Sequence, residues 1–376
     1  MRGKACALVG LLVLTGATAC ERSEQVPTLS VSRGACAPEW TTASPGAISL
    51  TLHNIDITTA DVDLIDPTTG GVYAEVESLA SGTTRTMTVT LGAGSYALRC
   101  MLDGADAVTG ATLRLDTGPA DADPAVLPVA FMDLQPAVQT YRAYVQQGLD
   151  TLATDVATLR DALSAGDRAR ARADWLTAHL DYERLGAAYG AFGDLGDAID
   201  GVPQDVADPD FTGLHRIEYG LWHDEPMATV APFGDTLVDD VGTLRTGFAR
   251  AQVDPFDLPL RAHEILEDAL QFELTGAADM GSGTNLATLA ANLDGTRAVL
   301  DALAAVLQPR YDRWDALAPA ITRVTDALDA VRGPDGSLPP LGSLTQLQRE
   351  RLNGTVGALL ETLAPLAVVG EVRRTS

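Results

Sequence analysis

The chain has 376 residues, with 26 Lys and Arg against 51 Asp and Glu, so its formal charge is −25 at pH 7. This length favours two domains, and 46% hydrophobic residues exclude a disordered acidic protein. The negative charge argues against binding to nucleic acid or anionic lipid and favours the attraction of cations. With four Cys and no paired C-x-x-C, a zinc finger or thiolate cluster is also excluded.

The N-terminus has the pattern of an export signal. Two basic residues precede a short apolar run from Ala5 to Leu14, and small residues then lead to Cys20. Because the run is too short to span a bilayer, residues 1–19 predict a signal peptide. Cys20 is a lipidation candidate, with ordinary cleavage nearby as the alternative. The mature chain, with a charge near −27, is expected in the periplasm or cell envelope.

Two regions with different periodicity follow a short tether at residues 20–29. Residues 30–117 alternate between apolar and polar side chains, as in residues 48–53, which indicates strands. About seven such runs separated by turn residues predict a small β-sandwich. No segment after the signal is expected to cross a membrane.

After a Pro- and Asp-rich linker at residues 118–130, the spacing of apolar residues becomes helical. Residues 131–376 are therefore predicted to form an all-α domain built from antiparallel helical bundles. Gly and Pro predict breaks between helices, among them residues 193–203 and 224–234. The predicted helices are 134–165, 167–191, 212–222, 235–252, 257–275, 284–307, 310–332 and 343–366.

Two cysteines lie near the start and the end of the predicted sandwich. In an oxidising compartment Cys36 and Cys100 would form a disulfide that closes a loop of about 65 residues, with a stabilisation of roughly 4 kcal/mol.

The five histidines mark the candidate chemistry. His215 and Glu218 are three residues apart in GLHRIEYGLW, so a helix brings both to one face, where they could bind one ion. Asp224 follows this helix and is a further candidate ligand. The alternative is a surface pair in contact with water.

A second His and Glu pair occurs in RAHEILEDALQFELTG. His263 and Glu267 share a helical face, while Glu264, a further candidate ligand, points roughly a quarter-turn away. The segment lacks H-E-x-x-H, so it does not predict a zinc-protease helix. Two helices of this kind in one bundle favour a shared metal, although an amphipathic helix with its charges in water is the alternative.

A third stretch, residues 179–201, is rich in aromatic and acidic residues. We expect Glu183 and Asp194 to be solvated or to cap helices rather than to reach an ion. His179 is expected at an ordinary helix surface or boundary.

Together, GLHRIEYGLW, RAHEILEDALQFELTG and YERLGAAYGAFGDL resemble the imelysin-like family, in particular the periplasmic component of Efe-type iron uptake systems. The resemblance covers about residues 130–370 and implies two four-helix bundles. It implies that His215 and Glu218 bind a metal, with carboxylates from residues 224–240 and the 263–267 helix completing the shell. Such oxygen and nitrogen ligands suit iron as Fe3+ or Fe2+.

The preceding β region resembles, more distantly, the cupredoxin-like domain that many of these proteins carry. It departs from a blue-copper site because His53 is its single histidine. Two alternatives remain for its cysteines: the disulfide, or an atypical site for copper or zinc formed by Cys36, Asp63, Glu77 and Cys100.

The resemblance implies a protein that captures iron and delivers it to an inner-membrane iron permease, alongside a haem-containing periplasmic partner. The chain has no C-x-x-C-H and hence no covalent haem site of its own. The alternatives are a metallopeptidase that uses the H-x-x-E pair, and a surface lipoprotein whose His and Glu faces are only solvated.

Overall fold

The computed structural model describes residues 28–203 and 205–374. The predicted signal peptide at residues 1–19, the lipidation candidate Cys20 and nearly all of the tether lie outside these residues.

The N-terminal region is a β-sandwich, as expected, formed by two sheets. The strands are β1 (Leu29–Ser32), β2 (Ala35–Cys36), β3 (Gly46–Asn54), β4 (Ala60–Ile65), β5 (Val72–Leu79), β6 (Thr84–Leu91), β7 (Gly94–Leu102), β8 (Val108–Thr109) and β9 (Leu113–Leu115). One sheet has the strand order β2-β1-β3-β6, in which β1 runs parallel to β3; the other has the order β5-β4-β7-β8, with β9 paired to β7. Along β3, Leu50 and Leu52 are buried while Thr51 and His53 are less so, which confirms the predicted alternation.

Cys36 and Cys100 form a disulfide within this sandwich. The alternative metal site cannot form with these two residues while the disulfide is intact, because a metal needs thiolate ligands. Its two acids are not available together either: Asp63 lies 2.7 Å from Nη2 of Arg99, and Glu77 is exposed on β5. Nδ1 of His53, the single histidine of this region, lies 2.9 Å from Oγ1 of Thr84. The likeness to a cupredoxin-like domain stays a prediction.

The C-terminal region is helical. The helices are α1 (Phe131–Ser164), α2 (Arg168–Glu183), α3 (Tyr189–Phe192), α4 (Asp194–Asp200), α5 (Gly213–Trp222), α6 (Met227–Gly247), α7 (Asp257–Asp268), α8 (Asn285–Leu307), α9 (Leu317–Asp329), α10 (Gln346–Leu363) and α11 (Pro365–Val369). One group of packed helices contains α1, α2, α5 and α6, and a second contains α7, α8, α9 and α10. Helix α8 also packs on α1 and α2, so the two groups share one core.

Two predictions that rested on Gly and Pro as helix breakers were wrong. Helix α6 begins at Met227, well before the predicted residue 235, because Pro226 precedes the helix and Pro232 is accommodated within it. The expected loop around residues 193–203 contains the short helix α4, which ends at Gly201 in a left-handed conformation. This helix proves important because it carries Asp200.

The expectation that no later segment could span a membrane also needs correction. By length and composition, the stretch Gln346–Val369 is apolar enough to do so. In the structure its apolar side chains, such as Leu352, Val356 and Leu363, are buried in the helical core. It is therefore a core helix of this fold.

The C-terminal segment connects the two regions. The backbone N–H of Arg373 donates to the carbonyl of Val129, and its guanidinium lies 3.0 Å from Oε2 of Glu75 on β5. Arg373 is only 7% exposed, so this ion pair is largely shielded from water.

We expect the Cys36→Ala/Cys100→Ala double variant to lose about 4 kcal/mol of stability in the β-sandwich, because the disulfide closes a loop with a sequence separation of 64. Urea unfolding followed by the 19F NMR signal of 5-fluorotryptophan at Trp40, which is buried in the sandwich, measures this loss separately from the three Trp of the helical region. Far-UV circular dichroism should show that the helices unfold at an unchanged urea concentration. An unchanged midpoint in the Trp40 signal would contradict the expectation.

Candidate metal centre

Five ionisable side chains from both helical groups form what we call the acidic cluster. They come from the end of α2, the end of α4, helix α5 and a π-helical segment at Ala269–Glu273 that continues α7. Single π turns of this kind occur often at functional sites. The members are Glu183, Asp200, His215, Glu218 and Glu273, whose charges influence one another.

Two glycines allow α4 and α5 to meet. Gly201 and Gly213 both have positive φ, near 72° and 70°. A Cβ on Gly213 would lie 2.4 Å from the carbonyl oxygen of Ile199, and one on Gly201 would lie 1.8 Å from that of Thr212. No other residue type fits this backbone approach without a shift, and the approach places His215 beside Asp200.

The contact between His215 and Asp200 orients the imidazole. Nδ1 of His215 lies 2.8 Å from the carbonyl oxygen of Asp200 and 3.5 Å from its Oδ1. Since a carbonyl can only accept, Nδ1 carries the proton, and Nε2 is the nitrogen that can bind a metal once the ring is neutral. Among the described residues, no hydrogen bond reaches Nε2 of His215.

Glu218, one turn after His215, is held by a glycine-rich loop. Its Oε1 accepts hydrogen bonds from the backbone N–H groups of Met280 and Ser282, at 3.1 and 3.0 Å. The residue is only 2% exposed. Both residues of the H-x-x-E pair are therefore buried, and the alternative of a surface pair in water is wrong.

The other two glutamates are each held by an asparagine of α8. Oε2 of Glu273 accepts from Nδ2 of Asn285 at 3.1 Å. With its amide nitrogen turned toward Glu183, Asn292 donates to Oε2 of that residue at 2.9 Å. The side chain of Glu183 is 13% exposed, so the expectation that it is solvated is wrong. Asp194, by contrast, lies exposed in the first turn of α4, as expected.

His179 lies beside the acidic cluster rather than on the surface. It is 4% exposed, stacks on Trp175 with 4.8 Å between ring centroids, and meets His215 edge to face at 5.6 Å. Burial lowers the pKa of His179 to about 3, so its ring is neutral. The sequence expectation of a surface or boundary position was therefore wrong.

The cluster is short of positive charge. Burial raises the pKa of Glu218 and that of Glu273 to about 7, and burial with the nearby acids raises the pKa of Glu183 well above its usual range. His215 is the exception: although burial opposes its charge, Asp200 and Glu218 together raise its pKa to about 10. At neutral pH, protons therefore balance the charge of the carboxylates.

Within residues 28–203 and 205–374, no three His, Cys, Asp or Glu side chains are already arranged to hold a metal ion. A cation would therefore have to draw the cluster closer together. The donor set nevertheless fits such an ion, because it offers one imidazole nitrogen and several carboxylate oxygens without thiolates.

The remaining predicted ligands contact side chains outside the acidic cluster. The side chain of Asp224 is 81% exposed and lies 3.5 Å from Arg172. On α7, His263 lies 3.5 Å from Glu267, and Glu264 lies 3.1 Å from Arg261. In the described part of the chain, no hydrogen bond or ion pair joins these four residues to His215 or Glu218. Their role as ligands stays a prediction.

Sequence reasoning missed Asp200 altogether. No signal for it was available, because residues 193–203 were expected to form a loop rather than a helix. In the structure Asp200 ends α4, where the helix dipole disfavours an acid and a compensating cation is needed. Here His215 compensates: burial opposes ionisation of Asp200, but the imidazolium outweighs it and lowers the pKa of that carboxyl.

Comparison with known proteins finds a matching family model and relatives that are named as iron uptake components. A family model described as Imelysin matches residues 137–366. The "Iron uptake system component EfeO" of Escherichia coli K12 is 28% identical over 343 residues, which is 90% of this chain and 89% of that protein. The protein of the same name from Escherichia coli O6:H1 is 30% identical over 300 residues, 78% of each chain, and that of Shigella flexneri is 28% identical over 343 residues.

We expect the metal-free protein to lose stability as the pH rises from 6.5 to 8.5, which is above the range in which the buried neutral His179 makes stability rise with pH. The folded pKa values of Glu218 and Glu273, about 7, lie above the ordinary 4.5, so the folded state loses stabilising protons as the pH rises through 7. The raised pKa of His215 acts in the same direction, since its stabilising charge is lost as the pH rises toward 10.

Urea unfolding in the presence of a chelator, repeated across this pH range, measures the effect. Glu218→Gln keeps an acceptor for both loop N–H groups but cannot ionise, so its stability should depend less on pH. The control is Glu361→Gln, at an exposed position on α10, which should behave as the wild type. Equal pH dependence in Glu218→Gln and the wild type would contradict the expectation.

Proposed function

This chain belongs to the imelysin family, and we propose that it binds iron outside the cytoplasm through the acidic cluster and delivers it to an iron permease of the inner membrane. The observation that carries the proposal is the burial of His215 and Glu218 beside three further carboxyl groups of the acidic cluster. Within the described residues, no Lys or Arg side chain forms an ion pair with any of these carboxyl groups. The relatives named as iron uptake components support iron as the ion.

The chemistry of the cluster favours iron held by hard ligands. Carboxylate oxygens with one imidazole nitrogen suit ferric ion and also accept ferrous ion, and the cluster needs no sulfur ligand. His215 would bind through Nε2 while Asp200 keeps the proton on Nδ1, an arrangement that fixes ring orientation in many metal sites. Copper or zinc would compete for the same ligands.

Capture would exchange protons for iron. The imidazole of His215 must be neutral and the glutamates ionised in order to coordinate, so binding releases protons and weakens in acid. The formal charge of −25 would raise the concentration of cations near the protein. Acidification would then favour release of iron to the permease, because protons compete with iron for the same ligands.

We expect His215→Ala and Glu218→Ala to lower iron affinity about 100-fold or more, because each removes a ligand. Replacing a residue that only supports a ligand typically lowers metal affinity by roughly 10–100-fold. For the wild type, affinity should fall between pH 7.5 and 5.5, by about tenfold per pH unit for each proton displaced. Isothermal titration with chelated Fe3+ and, without oxygen, with Fe2+ measures both effects. His53→Ala in the sandwich is the matched control.

Unchanged iron affinity in both His215→Ala and Glu218→Ala would contradict the proposal. Replacing His263, Glu264, Glu267 and Asp224 in the same titration tests whether any of them joins the shell. The peptidase alternative rests on the family name alone, and casein cleavage that is lost with a chelator and in Glu218→Ala would support it instead.

A further inference from the structure

Helix α8 carries a stripe of buried polar side chains, although most of its other buried residues are apolar. Asn285, Thr288 and Asn292 are 3%, 1% and 6% exposed. Their spacing of three and four residues places all three on one face of the helix. Buried polar side chains are costly unless they are hydrogen-bonded, so their partners indicate what the stripe is for.

Each residue of the stripe contacts a different group in or beside the acidic cluster. Asn285 donates to Glu273, and Asn292 donates to Glu183. Between them, Oγ1 of Thr288 lies 3.2 Å from Nε2 of His179, the ring that meets His215 edge to face. One helix of the second group thus contacts groups supplied by both α2 and the π segment.

A fourth buried polar residue of α8 shows what a purely local role looks like. Thr296 is 0% exposed, and its hydroxyl donates to the carbonyl of Asn292 in its own helix. Its hydrogen bond is satisfied without any contact to the cluster. Asn285 and Asn292 differ because each directs its amide N–H at a carboxylate.

We propose that Asn285 and Asn292 are positioning residues that orient Glu273 and Glu183 toward the bound cation; this inference rests on the proposed iron-binding function. Each amide holds Oε2 of its glutamate and leaves Oε1 for the ion. An amide suits this task because it donates a hydrogen bond without adding charge, whereas Lys or Arg at the same position would occupy the carboxylate and repel iron.

The test compares Asn285→Leu, Asn285→Ala, Asn292→Leu and Asn292→Ala with the wild type. Leu restores the packed volume but not the donor, so a packing role would be rescued by Leu and a positioning role would not. We expect a 10–100-fold loss of Fe3+ affinity in all four variants. The electron paramagnetic resonance spectrum of bound high-spin Fe3+ should also change, because the ligand geometry is altered.

Thr296→Val is the matched control on the same helix and should bind iron as the wild type does. Circular dichroism in chelator shows which variants fold. If the Leu and Ala variants do not fold, they are replaced by Asn285→Ser and Asn292→Ser, whose hydroxyl donor is too short to reach the glutamate. The same loss of affinity and the same spectral change are expected for these variants.

The outcomes separate this inference from the proposed function. The inference would be overturned if the Leu variants, or the Ser variants where only these fold, bind iron with wild-type affinity and an unchanged spectrum. Iron binding that depends on His215 would remain in that case. Rescue of binding by Leu but not by Ala would likewise overturn it in favour of packing. Absence of His215-dependent iron binding in the wild type would remove the proposed function and this inference with it.

Discussion

The close approach of α4 to α5 is the contact on which the acidic cluster depends. Gly201 and Gly213 permit it, and it places the carbonyl and carboxylate of Asp200 against Nδ1 of His215. A bulkier residue at either glycine would push the helices apart and remove the partner that fixes the imidazole. The pairing of His215 with Asp200 is thus set by backbone geometry before any ligand arrives.

The second constraint is electrostatic. Four carboxyl groups and one imidazolium lie where the two helical groups share a core, and burial makes their negative charge costly. Protons balance that charge in the metal-free protein. A bound cation could balance it instead, so the same feature that weakens the empty fold at high pH would supply the driving force for capture.

Much of the fold could be predicted from periodicity, and part of the cluster from spacing. Alternation along residues 48–53 and helical spacing after residue 131 correctly predicted a sandwich followed by helices. The three-residue spacing of His215 and Glu218 correctly placed them on one helix. Spacing within one segment could not show that Glu267 pairs with His263 on its own helix. It also could not show that Asp200, from another helix, is the partner of His215.

The errors have a common physical cause. Gly and Pro near residues 193–203 suggested a loop, yet Gly201 ends a short helix there and makes room for α5. His179 and Glu183 looked like surface residues because the pattern of α2 alone does not reveal that α8 covers them. Contacts between distant segments decide which polar residues are buried, and the sequence of a single segment does not reveal those contacts.

X-ray absorption at the iron K-edge of the iron-loaded protein tests the central claim most directly. The account predicts a first shell of oxygen and nitrogen without sulfur, including the outer-shell scattering of one imidazole, and loss of that imidazole signal in His215→Ala. A spectrum without imidazole scattering, or one that His215→Ala leaves unchanged, would contradict it.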